Sequence, residues 1–221
     1  MNRWIWRRLN TAGYGVQSPN DFHFVQHVLR EEAPYYGYTT LETIAQKYSN
    51  VLPSYPIATD RLLLRLANHV HPSTIIEIGA GTSAWAMATA CPTARCVAIM
   101  SGKTHDATIQ DLLIEYPQVE IIKGDEIEIF HHLLREIKEI GILHVAHTPH
   151  YQEVVATALS HVSDYTLFII EGLHDSKEKA NWWKNLQESP NTGISYDLGD
   201  IGLIFFDRSR HKETYWIKFK H

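Results

Sequence analysis

The sequence predicts an α/β protein: a mostly parallel β-sheet with helices on both faces, closing in an antiparallel hairpin. Three observations predict it. From residue 74 onward, short β-rich runs alternate with helical stretches. The first run ends in a glycine turn that opens a helix. The last two runs flank Gly199-Asp200 and read as a hairpin, not as another strand–helix unit.

The strand candidates are "TIIEIG", "RCVAIM", "VEIIKG", "ILHVA" and "YTLFIIEG". Between them lie the helical stretches "SAWAMATAC", "THDATIQDLLIEY", "EIEIFHHLLREI" and "HYQEVVATALSHV". Strands that are continuously apolar, each followed by a helix, suit a parallel sheet covered on both sides. "NTGISYDLGDIGLIFFD" contributes the hairpin and brings the sheet to seven strands. "ETYWIKFK" is a candidate for one more.

Ahead of the sheet, residues 1–60 read as a helical extension and 61–221 as the α/β domain. Ser18 is a good N-cap and Pro19 suits the first helical position. Phe22, Val25, Val28 and Leu29 then recur at helical spacing, and Pro34 follows. "TTLETIAQKYSN" and "ATDRLLLRLANHV" read as two further helices, the second leading straight into the first strand. Tyr35, Tyr36 and Tyr38 stand just before the core, so the extension is expected to act as a lid over one end of the crevice.

A chain of 221 residues, 44% hydrophobic and 20% charged, fits one such domain with an extension. A net charge of −5 argues against a nucleic-acid binder, which usually carries a basic excess. Cys91 and Cys96 are too few for a disulfide framework, and their spacing is neither redox nor zinc-binding. Reduced thiols in a cytoplasmic protein are expected. No apolar run is long enough to span a membrane, and "MNRWIWRRLN" lacks the core of a signal peptide. Trp4, Ile5 and Trp6 read as a terminal helix packed on its own domain or on a partner, rather than as a membrane contact. A homodimer is an open option for that partner.

The glycine turn carries the chemistry. Glu77, Gly79, Gly81 and Ser83 form E-x-G-x-G-x-S between a strand and a helix. Glycines let the backbone turn sharply and approach a ligand closely. The helix N-terminus behind them suits a carboxylate or a phosphate.

This pattern, together with the C-terminal hairpin, resembles motif I of class I S-adenosylmethionine-dependent methyltransferases over roughly residues 60–220. A NAD-binding Rossmann domain is resembled less well. Both ends resemble a group of methyltransferase-like proteins common in the Bacteroidetes. "GYGVQSPNDFHFVQHV" keeps Gly15, Ser18 and Pro19 of that group's H-G-x-H-S-P-F-x-F, with Tyr14, Gln17, Asn20 and Asp21 as departures. "LFIIEGLHDSKEKANWWKNL" and "YDLGDIGLIFF" match its C-terminal part at His174, Ser176, Trp183, Asp197, Leu198, Gly202, Phe205 and Phe206. The resemblance implies a Rossmann-like methyltransferase fold and S-adenosylmethionine as cofactor. It places Glu77, Gly79, Gly81, Ser83, Ser101, Gly124 and Asp125 around that cofactor.

The chain also departs from the family. Where the second strand usually ends in an acid for the ribose hydroxyls, this one ends in Met100 and Ser101. Replacing charge-assisted hydrogen bonds by weaker ones costs about 1.5–3 kcal/mol each. Asp125 either accepts from the adenine amino group, as in the family, or caps the next helix. The fourth strand usually closes on D-A-N-H-x-Y; here Ala146 and Pro149 replace the aspartate and histidine, and Tyr151 stays. The fifth ends in Glu171-Gly172 where relatives carry two acids. Magnesium requires oxygen ligands, so a metal-dependent mechanism is not expected.

His144, His147 and His150 are regularly spaced, with His174 further on. Residues three apart on a strand face opposite sides, which counts against a shared metal. His147, just past the strand end, is the candidate general base. Of Trp182 and Trp183, one is expected in the core and the other partly exposed. The sequence thus points to a methyltransferase acting on a small molecule. The alternative is a catalytically degenerate protein of the same fold, serving as a weak cofactor binder, regulator or assembly subunit.

Overall fold

A computed structural model describes residues 16–48, 50, 52, 56–79, 81–101 and 106–219. The expectations for Trp4, Ile5, Trp6, Tyr14 and Gly15 lie outside the described residues. One eight-stranded sheet runs through the molecule in the order β3-β2-β1-β4-β5-β7-β6-β8. Its strands are β1 (Thr74–Ile78), β2 (Arg95–Met100), β3 (Val119–Lys123), β4 (Ile142–Val145), β5 (Leu167–Ile170), β6 (Ser195–Asp197), β7 (Gly202–Phe205) and β8 (Thr214–Trp216).

The first five strands are parallel. Strand β7 is antiparallel to both β5 and β6, as the hairpin reading requires. Its turn uses Gly199 at φ 108°, a backbone shape that favours glycine. The sheet has eight strands, not seven. Thr214–Trp216 pairs parallel with β6, which would otherwise end the sheet as an unpaired edge.

Eight α-helices flank the sheet among the described residues: α1 (Pro19–Phe24), α2 (Gly37–Tyr48), α3 (Ile57–Val70), α4 (Ser83–Ala90), α5 (Asp106–Glu115), α6 (Glu126–Glu136), α7 (Tyr151–Ala158) and α8 (Lys177–Glu188). The strand residues alternate between two apolar cores, because successive side chains point to opposite faces. Ile75, Cys96, Ala98, Ile142 and Ile169 pack under α1 to α5, whereas Ile76, Ile78, Val97, Leu143 and Phe168 pack under α6 to α8. Burial on both faces explains why these strands lack a polar alternation.

Helix α1 starts as its sequence foretells. The Ser18 side chain accepts from the backbone N–H of Asp21 at 3.3 Å, and Pro19 follows. It then loosens into a π-helical turn, Val25–Leu29, where Arg30 N donates to Val25 O at 3.0 Å. Buried Arg65 of α3 donates from Nε to Val28 O at 2.6 Å and from Nη2 to Leu29 O at 3.4 Å. The guanidinium thus satisfies carbonyls that a helix end leaves unpaired.

Candidate functional site

The glycine turn is built by Glu77. Its carboxylate is buried, and Oε1 accepts from Gly81 N at 2.9 Å and from Ser83 Oγ at 2.6 Å. A single oxygen therefore ties the end of β1 to the first turn of α4. Gly79 has φ 79°, and its N–H donates to Ile99 O at 3.1 Å. A Cβ there would lie 3.5 Å from the Ala146 Cβ and 3.7 Å from the His147 backbone. So the turn sits directly beside the loop that follows β4. Thr82 precedes α4, and its side chain makes no capping hydrogen bond to the helix's first N–H groups.

The other expected residues stand at neighbouring strand ends. Ser101 is exposed just past β2. Gly124 follows β3, and its N–H donates to Met100 O at 3.2 Å, which brings the β2 and β3 ends together. Asp125 is the N-cap of α6, accepting from Glu128 N at 2.9 Å. Its capping role is thus realised in the geometry, and its exposure leaves oxygen available to a ligand.

The histidines part company. His150 is exposed ahead of α7. His144 is wholly buried on β4, in register with Glu77 on β1. Its Nδ1 is 3.4 Å from Glu77 Oε2, an ion-pair contact rather than an aligned hydrogen bond. Its Nε2 is 2.9 Å from Glu171 Oε1. Burial alone would lower its pKa, but attraction to Glu171 and Glu77 outweighs this and raises it from 6.5 to about 10. The buried ring is therefore an imidazolium between two carboxylates at neutral pH.

His147 lies past the strand end, with its side chain 53% exposed. Its Nε2 is 3.5 Å from Glu171 Oε2, and its Nδ1 is 3.4 Å from Asp175 Oδ2. The chain curls after Val145, so His144 and His147 reach the two oxygens of one glutamate despite their odd spacing. Gly172, at φ 66°, permits the return of Asp175: a Cβ there would clash with Asp175 Oδ2. Among the described residues, no group of three or more His, Cys, Asp or Glu side chains is arranged to hold a metal ion.

Sequence reasoning missed Asp60. This buried α3 residue accepts from Thr82 Oγ1 at 3.1 Å through Oδ2, while Oδ1 has no hydrogen-bond partner among the described residues. Burial raises its pKa to about 7, and the Thr82 hydrogen bond only partly opposes the rise. The available signal was an acid on the apolar face of α3, in helical step with Ile57 and Leu64. Glu77 and His144 gave a similar signal, as opposite charges inside otherwise apolar strands.

Other expectations concern packing. Trp183 is buried and Trp182 partly so, the latter edge-on to Tyr151 at 4.8 Å. Tyr36 is exposed, while Tyr38 accepts from Arg65 Nη1 at 2.8 Å and stacks under Arg61. A cavity of about 460 Å³ is bounded by Leu29, Tyr38, Arg61, Arg65 and Phe219 among others, and none of its lining belongs to the glycine turn. No described helix is long and apolar enough to cross a membrane.

No family model matches the chain, and no curated protein matches it. Solved structures do. An O-methyltransferase from Bacillus cereus in complex with SAH aligns with TM-score 0.62 at 16% identity, over 81% of this chain and 96% of that one. The tomaymycin-synthesis O-methyltransferase of Streptomyces achromogenes, in complex with SAM, aligns with TM-score 0.59 at 17% identity, over 93% and 99%. A methyltransferase from Geobacter sulfurreducens aligns with TM-score 0.58 at 18% identity, over 86% and 96%. At such identities the likeness is one of architecture: the chain has the Rossmann-like fold of these methyltransferases.

Proposed function

We propose that the chain is an S-adenosylmethionine-dependent methyltransferase acting on a small molecule, with the cofactor held at the Gly79–Ser83 turn. The observation that carries this reading is the turn itself, a positive-φ glycine and an uncapped helix start fastened to Glu77 at the carboxyl end of β1. Solved proteins of this fold are in complex with SAH or SAM. The likeness of both chain ends to the Bacteroidetes methyltransferase-like group belongs to the same reading.

The residues present fit such a cofactor. Asp60 Oδ1, buried beside Thr82 without a partner, suits the ammonium of an amino-acid tail. The N–H groups at the start of α4 suit its carboxylate. In this reading Ser101 would offer one hydroxyl to the ribose, and exposed Asp125 would accept from the adenine amino group. The cofactor supplies an electrophilic methyl on a sulfonium sulfur.

His147 takes the acceptor's proton in this reading. A neutral imidazole has one N–H, so it can donate to only one of its two carboxylates. The hydrogen bond present joins Nδ1 to Asp175 Oδ2 at 3.4 Å, so for Nδ1 to act as the base exposed Asp175 must yield to the acceptor and the N–H must sit on Nε2, which lies 3.5 Å from Glu171 Oε2. Alignment supplies most of the remaining rate, so neither a metal nor a strand-four acid is required.

Calorimetry with S-adenosylmethionine and S-adenosylhomocysteine tests the reading. Binding to the parent, lost when Gly79 is replaced by valine, supports it. No binding favours a degenerate member of the fold.

A further inference from the structure

One buried group has no part in this scheme. His144 touches neither the proposed acceptor nor the turn, yet it lies between the groups that order both. An ordinary core residue in its place, like its neighbours Leu143 and Val145, would fill the slot without burying three charges. Buried ion pairs add little stability compared with apolar packing, but they can fix one geometry.

The contacts form a continuous chain. Gly81 N and Ser83 Oγ occupy Oε1 of Glu77, and Oε2 faces His144 Nδ1. His144 Nε2 takes Oε1 of Glu171, which leaves Oε2 for His147 Nε2. The far nitrogen of His147 meets Asp175. Glu77, His144 and Glu171 are all buried, so none can swing to solvent. Asp60 of α3 and Cys96 of β2 feel the charges of the same cluster.

We propose that His144 is a positioning residue, whose buried ring locks Glu77 to Glu171 and so sets the glycine turn and the orientation of His147 together. The inference rests on the reading of the turn as cofactor site and of His147 as base. It predicts that a change on the His147 side is felt at the turn. Among the described residues, Glu171 makes no hydrogen bond or ion pair with Gly79, Gly81, Thr82 or Ser83, so Glu171→Gln is the discriminating variant.

The test is NMR of the full chain, with binding measured beside it. In the parent at pH 8, the His144 ring is expected to show two N–H protons protected from exchange. In E171Q the Gly81 amide signal is expected to move, and S-adenosylhomocysteine affinity to fall. In His144→Gln the Gly81 amide and the His147 ring signals are expected to move together. A parent His144 with only one ring proton overturns the proposal. So does a Gly81 amide that holds its position in E171Q, whatever the affinity. Failure of the parent to bind the cofactor product would remove the cofactor reading, and the Gly81 response would still decide the bridge.

Discussion

The hydroxyl of Tyr196 donates a 2.6 Å hydrogen bond to Oδ1 of Asp21, joining residues 175 positions apart. Tyr215 donates to Oδ2 at 3.1 Å, and Arg210 also donates to Oδ1. Asp21 lies in "SPNDFHF" and Tyr196 in "YDLGDIGLIFF", so the N-terminal helix and the C-terminal hairpin are physically joined. Burial and the Asp21 carboxylate hold the Tyr196 phenol far above its ordinary range, so it is the proton donor.

Removing this acceptor is expected to destabilise the protein. Asp21→Ala leaves a buried hydroxyl and a guanidinium without their carboxylate and should cost about 3 kcal/mol. Tyr196→Phe removes one hydrogen bond and should cost about 1–2 kcal/mol. Urea denaturation followed by tryptophan fluorescence measures both. Parent-like midpoints would show that the N-terminal helix is not held by this clamp.

Stability is expected to fall as the solution becomes alkaline. The folded chain holds a proton on His144 up to about pH 10, whereas the unfolded chain releases it near 6.5. This contribution is complete below pH 6.5 and is lost as pH rises through 10. Asp60 acts with the same sign, complete below 3.8 and lost as pH rises through about 7. Asp60→Asn should therefore gain roughly 1–3 kcal/mol at pH 8 relative to the parent and little at pH 3. A parent whose urea midpoint is flat from pH 4 to 10 contradicts both assignments.

Much of the fold was legible because its signals are local. The Ser18-Pro19 start, the continuously apolar strands and the Gly199 turn each depend on a few neighbouring residues. The eighth strand was harder to read, since "ETYWIKFK" gains its partner only when β6 presents an open edge. The resemblance residues of the C-terminal part also prove to have packing roles. Ser176 caps α8, Asp197 accepts from Gly199 N at 2.9 Å, and Gly202 has no side chain because Trp183 would stand 2.6 Å from its Cβ. The site was less legible. Spacing alone separates His144 from His147, and only the curl after β4 brings both to Glu171. The unpartnered oxygen of Asp60 depends on α3 lying against Thr82, which no linear pattern encodes.

Gly172 is expected to resist substitution. Its positive φ and the Asp175 carboxylate folded over it mean that Gly172→Ala should cost about 1–2 kcal/mol and detach Asp175 from His147. Asp175→Asn, at a 52% exposed side chain, should change stability by less than about 0.5 kcal/mol. Thermal denaturation of the two variants checks the contrast. Equal effects would mean that Gly172 is not constrained by this turn.

Ser101 is expected to be the weak point of cofactor affinity. A carboxylate at the end of β2 can accept from ribose hydroxyls with charge assistance, so Ser101→Glu should tighten S-adenosylhomocysteine binding about tenfold. Titration calorimetry measures the change. An unaltered dissociation constant would mean that another group holds the ribose.

The most direct test is a calorimetric titration of S-adenosylhomocysteine into the parent and into Gly79→Val, with folding of both verified by circular dichroism. Valine is disfavoured at φ 79°, and its Cβ would already touch Ala146 and His147, so it should distort the turn. The expected result is one-to-one binding to the parent and none to the folded variant. No heat of binding and no thermal stabilisation of the parent at millimolar ligand, or undiminished affinity in Gly79→Val, would contradict a cofactor site at this turn.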